Sequence, residues 1–386
     1  MKDVALQIYL KMLEALRPAS LISSVWPSLS IPDGRLLVCG AGKASSGLAA
    51  AFVERLGRPT DGGLVVTKYG HSVPVPGVRV MESSHPYPNE DSVAAGSELL
   101  SFARSCSSTD TVFFFLTGGA SALIEVPRAP WTLPMIEEAT RAMVGSATPI
   151  EAINTVRARF SKIKGGGLSR AFGAARVIVL LLDDVNRKGL SYIGSGPFLT
   201  PVSDIAPSLV DFPPLPPLTT GDVPKREHIV LADNTTALKA AADVAKGLGF
   251  EPFVNPTPML GHVEKECAAF LEQGSRHRCY FAGGEPLVEV HGSGKGGRCQ
   301  EFATRAAILL QGSNCMVLAG STDGTDGPTD IAAALIDQDS VRQSGLDPKE
   351  CLKNSDSGRF IEASGGAIRT GPTQCNVNDV YMLLKS

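Results

Sequence analysis

Leu36-Leu37-Val38-Cys39-Gly40-Ala41-Gly42-Lys43-Ala44 is an apolar run that empties into a glycine turn and then into a helical pattern. Strand, glycine turn and helix start in that order open an α/β domain. Gly40 and Gly42 let backbone approach a ligand, the helix start offers unpaired N–H groups with a partial positive charge, and Lys43 adds a full one. The guest such a loop suits is an anion. Far downstream, Gly294-Lys295-Gly296-Gly297-Arg298-Cys299-Gln300-Glu301 carries the same chemistry. Two anion-seeking loops facing one cleft are therefore expected.

Working outward, apolar runs recur at 36–39, 64–67, 78–82, 112–117, 177–182 and 228–232, separated by helical stretches. Most are apolar on both faces, as strands covered by helices on each side must be. The pattern predicts an α/β fold with a Rossmann-like, doubly wound parallel sheet. The run exits carry Gly40-Ala41-Gly42-Lys43, Gly118-Gly119-Ala120-Ser121, Asp183-Asp184 and Asp233-Asn234, and in open α/β sheets the strand carboxyl ends form the working edge. The strand at 228–232 and a helix over 235–248 are expected to return to this first sheet. Residues 201–224, with Pro213-Pro214-Leu215-Pro216-Pro217, suit a stiff exposed connector. After 255 the texture changes to β-like pieces at 280–282, 287–290, 316–319, 334–336 and 380–383, with a helix over 300–310. A smaller α/β domain with a mixed sheet follows, dividing the chain into 1–255 and 256–386.

With 386 residues, two domains is the natural prior. A formal net charge of −3 gives no broad field for nucleic acid or an anionic membrane, so an anion site must be local. Residues 1–17 carry a helical stripe, Leu6, Tyr9, Leu10, Leu13 and Leu16, with a polar face that a signal peptide would lack. No stretch reaches the roughly 20 apolar residues of a membrane span. A cytoplasmic protein with neither nucleic-acid nor membrane partners is expected. The eight cysteines are scattered singly, without a CxxC pair, as reduced core thiols would be.

Neither familiar nucleotide motif is met. Leu37 and Ala44 stand where a Walker A loop needs Gly and Ser or Thr, and Ser45 stands where a dinucleotide fingerprint needs its third glycine. Thr67-Lys68-Tyr69 replaces the acidic residue that would hold a ribose. Residues 118–121 offer backbone N–H groups and the Ser121 hydroxyl to a carboxylate or phosphate, or simply make a tight turn. Asn154, Arg157, Ser161 and Lys164 fall near one helix face by spacing, a cationic stripe that could grip an acid or merely be solvated. Asp184 at a strand exit can hold Mg²⁺ or take a proton. Three carboxylates in Ser321-Thr322-Asp323-Gly324-Thr325-Asp326-Gly327-Pro328-Thr329-Asp330 resemble a hard-cation or general-base site. The polar turn around Asn376 and Asn378 could close over a ligand.

Taken in order, Ala41-Gly42-Lys43-Ala44, His85-Pro86-Tyr87-Pro88, Gly118-Gly119-Ala120-Ser121, Asn154-Thr155-Val156-Arg157, Lys164-Gly165-Gly166, Ser195-Gly196-Pro197, Gly296-Gly297-Arg298, Thr322-Asp323-Gly324 and Asn376-Val377-Asn378-Asp379 resemble the glycerate 2-kinase family. This is the class with a C-terminal MOFRL-type domain, whose members are often labelled hydroxypyruvate reductases. The resemblance implies a kinase that uses ATP and Mg²⁺ to phosphorylate D-glycerate to 2-phosphoglycerate in an interdomain cleft. It implies Lys43 and Arg298 as catalytic cations and Asp184 and Asp323 as catalytic carboxylates and candidate metal ligands, Asp184 binding metal or substrate and Asp323 taking the hydroxyl proton or holding Mg²⁺. Gly40, Gly42, Gly118, Gly119, Ser121, Asn154, Arg157, Lys164, Gly296, Gly297, Asn376 and Asn378 are the expected substrate- and phosphate-binding positions. The alternatives are an NAD(P)H-dependent hydroxypyruvate reductase and a catalytically silent paralogue that binds glycerate or a nucleotide; a homodimer stays open as an assembly. The chain departs from the family at Asp183-Asp184-Val185-Asn186-Arg187-Lys188-Gly189, where a basic loop replaces an acidic one, and at Asn89, Cys299 and Cys375.

Overall fold

Strands β1 (Leu36–Ala41), β2 (Gly63–Lys68), β3 (Arg79–Ser83), β4 (Thr111–Leu116), β5 (Arg176–Leu182) and β6 (Glu227–Ala232) form one sheet in the order β3-β2-β1-β4-β5-β6. The computed structural model describes residues 1–145, 150–185, 189–199, 212–217 and 222–385. Pairings among β1 to β5 are parallel, so all six expected runs are strands of a doubly wound sheet. β4 shows why the sheet is covered on both faces. All six of its residues are buried: Phe113 and Phe115 meet Phe52 on one side, and Phe114 meets Phe172 and Phe198 on the other. Strand order reverses between β1 and β4, which makes their exits the switch point where such sheets bind ligands.

The second sheet contains β7 (Pro252–Val254), β8 (Cys279–Gly284), β9 (Cys315–Ser321), β10 (Ala333–Asp337), β11 (Ala367–Ile368) and β12 (Asp379–Lys385), in the order β11-β10-β9-β12-β8-β7. Only β7 with β8 is parallel, so the mixed sheet is as expected. β12 lies between β8 and β9 with Asp379 opposite Gly284 on one side and Ser321 on the other. The expected strand at 287–290 is absent. Leu287 and Val290 are exposed, and the segment makes a single bridge from Leu287 to His262.

The two compact units do not divide at 255. One comprises Met1–Ser20 with Ala232–Ser386, the other Leu21–Leu231. β6 does return to the first sheet, but the helix Asn234–Gly247 packs on β7 and β8 instead, and against the N-terminal helix Lys2–Ala15. Local periodicity shows that an apolar face exists and not which sheet will cover it. Tyr9 anchors the N-terminal helix: it is buried and its hydroxyl donates to the Ser321 carbonyl at 2.7 Å. Lys2 adds a 2.9 Å ion pair to Asp337.

The proline run is not a bare spacer either. Proline has no N–H to donate but keeps its carbonyl. Arg159 Nε donates to the Pro216 carbonyl at 2.8 Å and Arg128 Nη1 to that of Pro217 at 2.9 Å. Residues 201–211 and 218–221 of the expected connector lie outside the described residues.

Tyr9→Ala should lower the unfolding free energy by about 3–5 kcal/mol and Tyr9→Phe by about 1 kcal/mol, the first by leaving a cavity and the second by leaving one carbonyl unpaired. Denaturant unfolding measures both, and a loss below about 1 kcal/mol for Tyr9→Ala would remove the helix from this core.

Candidate functional site

At the switch point the backbone of the β1 exit is fully committed. The N–H groups of Gly42 and Lys43 donate to the Val66 and Gly118 carbonyls at 3.1 and 2.9 Å, that of Ala44 to Thr117 Oγ1 at 3.2 Å, and that of Ser45 to the Gly42 carbonyl. The anion cradle expected of this loop's backbone at Gly40 and Gly42 is therefore not formed. Gly42 has another reason to be glycine: its φ is +135°, and a Cβ there would sit 2.1 Å from Thr117 Oγ1. Only a residue without a side chain lets the two strand exits touch. What the loop presents is the Lys43 side chain, half-buried, whose Cγ lies beside Gly119 together with the His85 ring. At the β4 exit the N–H groups of Gly118, Gly119 and Ser121 donate to no described residue, so of the two glycine turns expected to offer backbone donors it is the second whose N–H groups are not spent on the protein.

Beyond β4 the expected helical stripe breaks up. The helix Ile150–Phe160 carries Asn154 and Arg157 but ends before Ser161, which bridges to Pro127. Lys164 turns inward to form a buried ion pair with Glu125, a residue that the sequence reading missed; they are 4% and 0% exposed. Glu125 Oε1 also accepts the Val126 N–H at 2.9 Å. Burial lowers the Lys164 pKa against the pull of Glu125, and burial likewise lowers that of Arg157. The Ser195 hydroxyl donates to Asn154 Oδ1 at 3.0 Å and lies 3.0 Å from the Ser121 hydroxyl. Ser195 holds a φ of +60°, the left-handed region that side chains disfavour.

Asp184 is half-buried just past β5, next to Asp183, whose Oδ1 accepts the Val185 N–H at 2.9 Å. Asn186, Arg187 and Lys188 of the altered loop lie outside the described residues. Asn89, another departure, caps the helix Glu90–Ser105 by accepting the Ser92 N–H, a role Asn and Asp share equally.

In the other unit Arg298 opens the helix Arg298–Leu309 and is gripped by two carboxylates. Its Nε donates to Asp379 Oδ2 at 2.9 Å and its Nη2 to Glu285 Oε1 at 2.8 Å; Asp379 is completely buried and also accepts the Tyr381 hydroxyl. Burial pushes the Asp379 carboxyl up to about 7, with Arg298 pulling the other way. Burial opposes the Arg298 charge, yet Asp379 and Glu285 outweigh it and hold the guanidinium above its ordinary pKa. Asp379 closes the quoted Asn376–Asp379 motif and Tyr381 lies in the apolar run 380–383, but nothing in the sequence marks these residues or Glu285 as partners of Arg298, because that depends on which distant segments the fold brings together.

The three acidic residues at 323–330 do not converge. Asp326 is buried against the start of the Arg298–Leu309 helix, where it accepts the N–H groups of Cys299 and Gln300 at 3.2 and 2.9 Å. The helix terminus that a phosphate was expected to occupy already holds a carboxylate. Gly297 is pressed onto the same group, with a Cβ there only 2.2 Å from Asp326 Oδ1, and Gly296 onto Ser357. Asp330 is exposed and paired with Arg369. Asp323 stays at the β9 exit, its Oδ1 accepting the Ser321 hydroxyl and the Thr325 N–H at 2.9 and 3.0 Å. Asn376 Oδ1 accepts the Asn378 N–H, and Asn378 takes a φ of +69° before Asp379. The Asn234 amide fixes that approach by donating to the Val377 and Asp379 carbonyls at 2.8 and 3.1 Å. Among the described residues no three His, Cys, Asp or Glu side chains form a metal-holding group. All eight cysteines are free thiols, and no described helix is long and apolar enough to cross a membrane.

This architecture and these residues define a two-domain α/β class. Residues 4–209 match the family described as Domain of unknown function (DUF4147) and residues 278–379 the MOFRL family. The chain is 33% identical over 410 residues to the D-glycerate 2-kinase of Thermotoga maritima, covering 99% of this chain and 98% of that protein. It is 34% identical to a putative hydroxypyruvate reductase of Agrobacterium vitis, covering 92% and 88%. A crystal structure of glycerate kinase from Thermotoga maritima superposes with a TM-score of 0.87 at 32% identity, covering 100% of this chain and 99% of that one. The chain belongs to the glycerate 2-kinase family with a C-terminal MOFRL domain.

Arg298→Met should leave Asp379 buried without its cation, at a cost of about 3–5 kcal/mol at pH 8. Because burial holds the folded-state pKa of this carboxyl above its unfolded value, the protonated form is tolerated as the pH falls and the loss should shrink by pH 5. Unfolding midpoints of wild type and variant at both pH values measure this; an equal loss at each would mean that Asp379 bears no charge at pH 8.

Proposed function

We propose that this chain is an ATP- and Mg²⁺-dependent kinase that phosphorylates D-glycerate on its 2-hydroxyl. The observation that carries this reading is the full-length similarity to a D-glycerate 2-kinase, with Lys43 at the sheet's switch point and Arg298 oriented by two carboxylates. Phosphoryl transfer asks a protein mainly to neutralise the moving group and to hold the acceptor in line. Lys43 and the N–H groups of residues 118–121 supply positive charge and donors in one unit, and Arg298 supplies a guanidinium in the other. Asp184 and Asp323 are oxygen donors of the kind Mg²⁺ takes one or two at a time alongside phosphates and water, so the residues fit the metal. When bound, Mg²⁺ would neutralise phosphate oxygens; Asp323 either helps to hold it or takes the hydroxyl proton.

The reductase reading is favoured by the names of two relatives, but it needs a pyrophosphate on the β1 turn. There the N–H groups of residues 42–45 already have partners, and no acidic residue ends β2 to hold a ribose. An assay of NADH oxidation with hydroxypyruvate separates the two enzymes.

ADP should appear only when ATP, Mg²⁺ and D-glycerate are all present, and phosphorus NMR should show 2-phosphoglycerate. Lys43→Ala and Arg298→Lys should each reduce kcat at least about 100-fold, the scale of losing one transition-state donor. Circular dichroism melting checks that each variant is folded. Activity within ten-fold of wild type in either would remove that cation from the chemistry, and 3-phosphoglycerate as product would move the site of transfer.

A further inference from the structure

Asp323 is half-buried at the β9 exit, and a carboxylate in such a place turns about its side-chain bonds unless something holds it. Three donors hold its Oδ1: the Ser321 hydroxyl at 2.9 Å, the Thr325 N–H at 3.0 Å and the Thr325 hydroxyl at 3.3 Å. All three come from sequence neighbours, so the hold is only as firm as the backbone that carries them. That backbone is fixed from far along the chain.

Ser321 is 4% exposed, and each of its polar groups has a partner. Its N–H donates to the Ala332 carbonyl at 2.9 Å, and its carbonyl accepts the Tyr9 hydroxyl at 2.7 Å from 312 residues away in the chain. The Ser321 hydroxyl takes the Asp323 N–H at 3.4 Å and so gives its one proton to Oδ1. Thr322, the next residue, is wholly buried, its hydroxyl donating to the Asn378 carbonyl and accepting the Val377 N–H, both at 2.8 Å. Thr373 closes the arrangement from the other side. Its hydroxyl donates to the Thr322 carbonyl, the nearer of its two acceptors, at 2.6 Å, and its N–H donates to the Asp323 carbonyl at 3.2 Å. Part of the polar turn before β12 therefore grips the segment that carries Asp323.

We infer that Ser321 and Thr373 are positioning residues of the transfer reaction: Ser321 sets the angle of the Asp323 carboxylate, and Thr373 fixes the backbone from which that carboxylate hangs. Tyr9 supports both by pinning the Ser321 carbonyl. Phosphoryl transfer depends chiefly on placement, and displacing a participating group by about 1 Å costs about 100-fold. Orientation by Ser321 and Thr373 stands on the hydrogen-bond geometry; its use in phosphoryl transfer rests on the kinase reading above.

In the full chain, Ser321→Ala and Thr373→Val should each lower kcat at least about ten-fold while leaving the KM for D-glycerate within about two-fold of wild type and the protein folded by circular dichroism. Thr373→Ser restores the hydroxyl and should bring kcat back to within about two-fold of wild type. A general loss of structure would act whatever stands at position 323, whereas in an Asp323→Asn background Ser321→Ala should cost less than about two-fold further, because the group it orients no longer acts. Hydrogen exchange followed by mass spectrometry needs no turnover: peptides covering 322–325 should exchange at least about ten-fold faster in Ser321→Ala, as the Thr325 N–H loses its fixed acceptor. Should Ser321→Ala fail to fold, Thr373→Val, at a half-buried position, carries the same readings. Unchanged exchange over 322–325, kcat within about two-fold of wild type in either variant, or an undiminished loss in the Asp323→Asn background would each overturn the inference. Faster exchange in the variant alongside a wild type that forms no ADP would instead overturn the kinase reading alone.

Discussion

A carboxylate removed from water must be met by a cation or by several N–H groups, and this desolvation requirement organises both units. Asp379 is wholly buried at the head of β12, and Arg298 answers it through Nε while Glu285 holds Nη2. Glu125 is wholly buried past the β4 exit, and Lys164 answers it. Asp326 is buried at the foot of a helix and is met by two backbone N–H groups and the Gln300 side chain. Attraction in a low-dielectric setting offsets the loss of hydration only when the geometry is good. Each carboxylate therefore determines where its partner points. That is how Arg298 acquires one orientation while remaining about one-third exposed.

A second constraint is steric. Where β1 and β4 leave the sheet side by side, their backbones are so close that position 42 has no room for a Cβ. The contact consumes the N–H groups of the β1 turn, and the available donors are those following β4. A glycine-rich turn after a first strand commonly signals a phosphate cradle; here the glycine serves the packing of two strand exits, and Lys43 lies half-buried beside Gly119. The same substitution of roles occurs at residues 296–297, where glycines admit Ser357 and Asp326 rather than a ligand.

The sheets were legible because their signal is local. Residues 112–116 are apolar on both faces, and such a run can only be a strand covered twice. Asn154, Arg157 and Lys164 were legible as polar residues at telling intervals, but their directions were not. Spacing assigns Lys164 to an outward helical stripe, whereas the helix stops at Phe160 and a buried glutamate 39 residues earlier in the chain draws the lysine in. Asp379 was legible as the end of a motif but neither it nor Glu285 was legible as a partner of Arg298, since the two acids are brought side by side by antiparallel pairing of segments nearly a hundred residues apart.

Periodicity and composition by themselves determined the α/β class, the six-stranded parallel sheet, the mixed second sheet and the polar character of the strand exits, since each follows from which faces of a short segment avoid water. Tertiary structure alone decided that residues 1–20 and the helix Asn234–Gly247 belong with the second sheet, which carboxylate orients which cation, and which glycines face protein instead of ligand. These are matters of long-range burial: an ion pair or a close backbone approach exists only once distant segments have excluded the water between them.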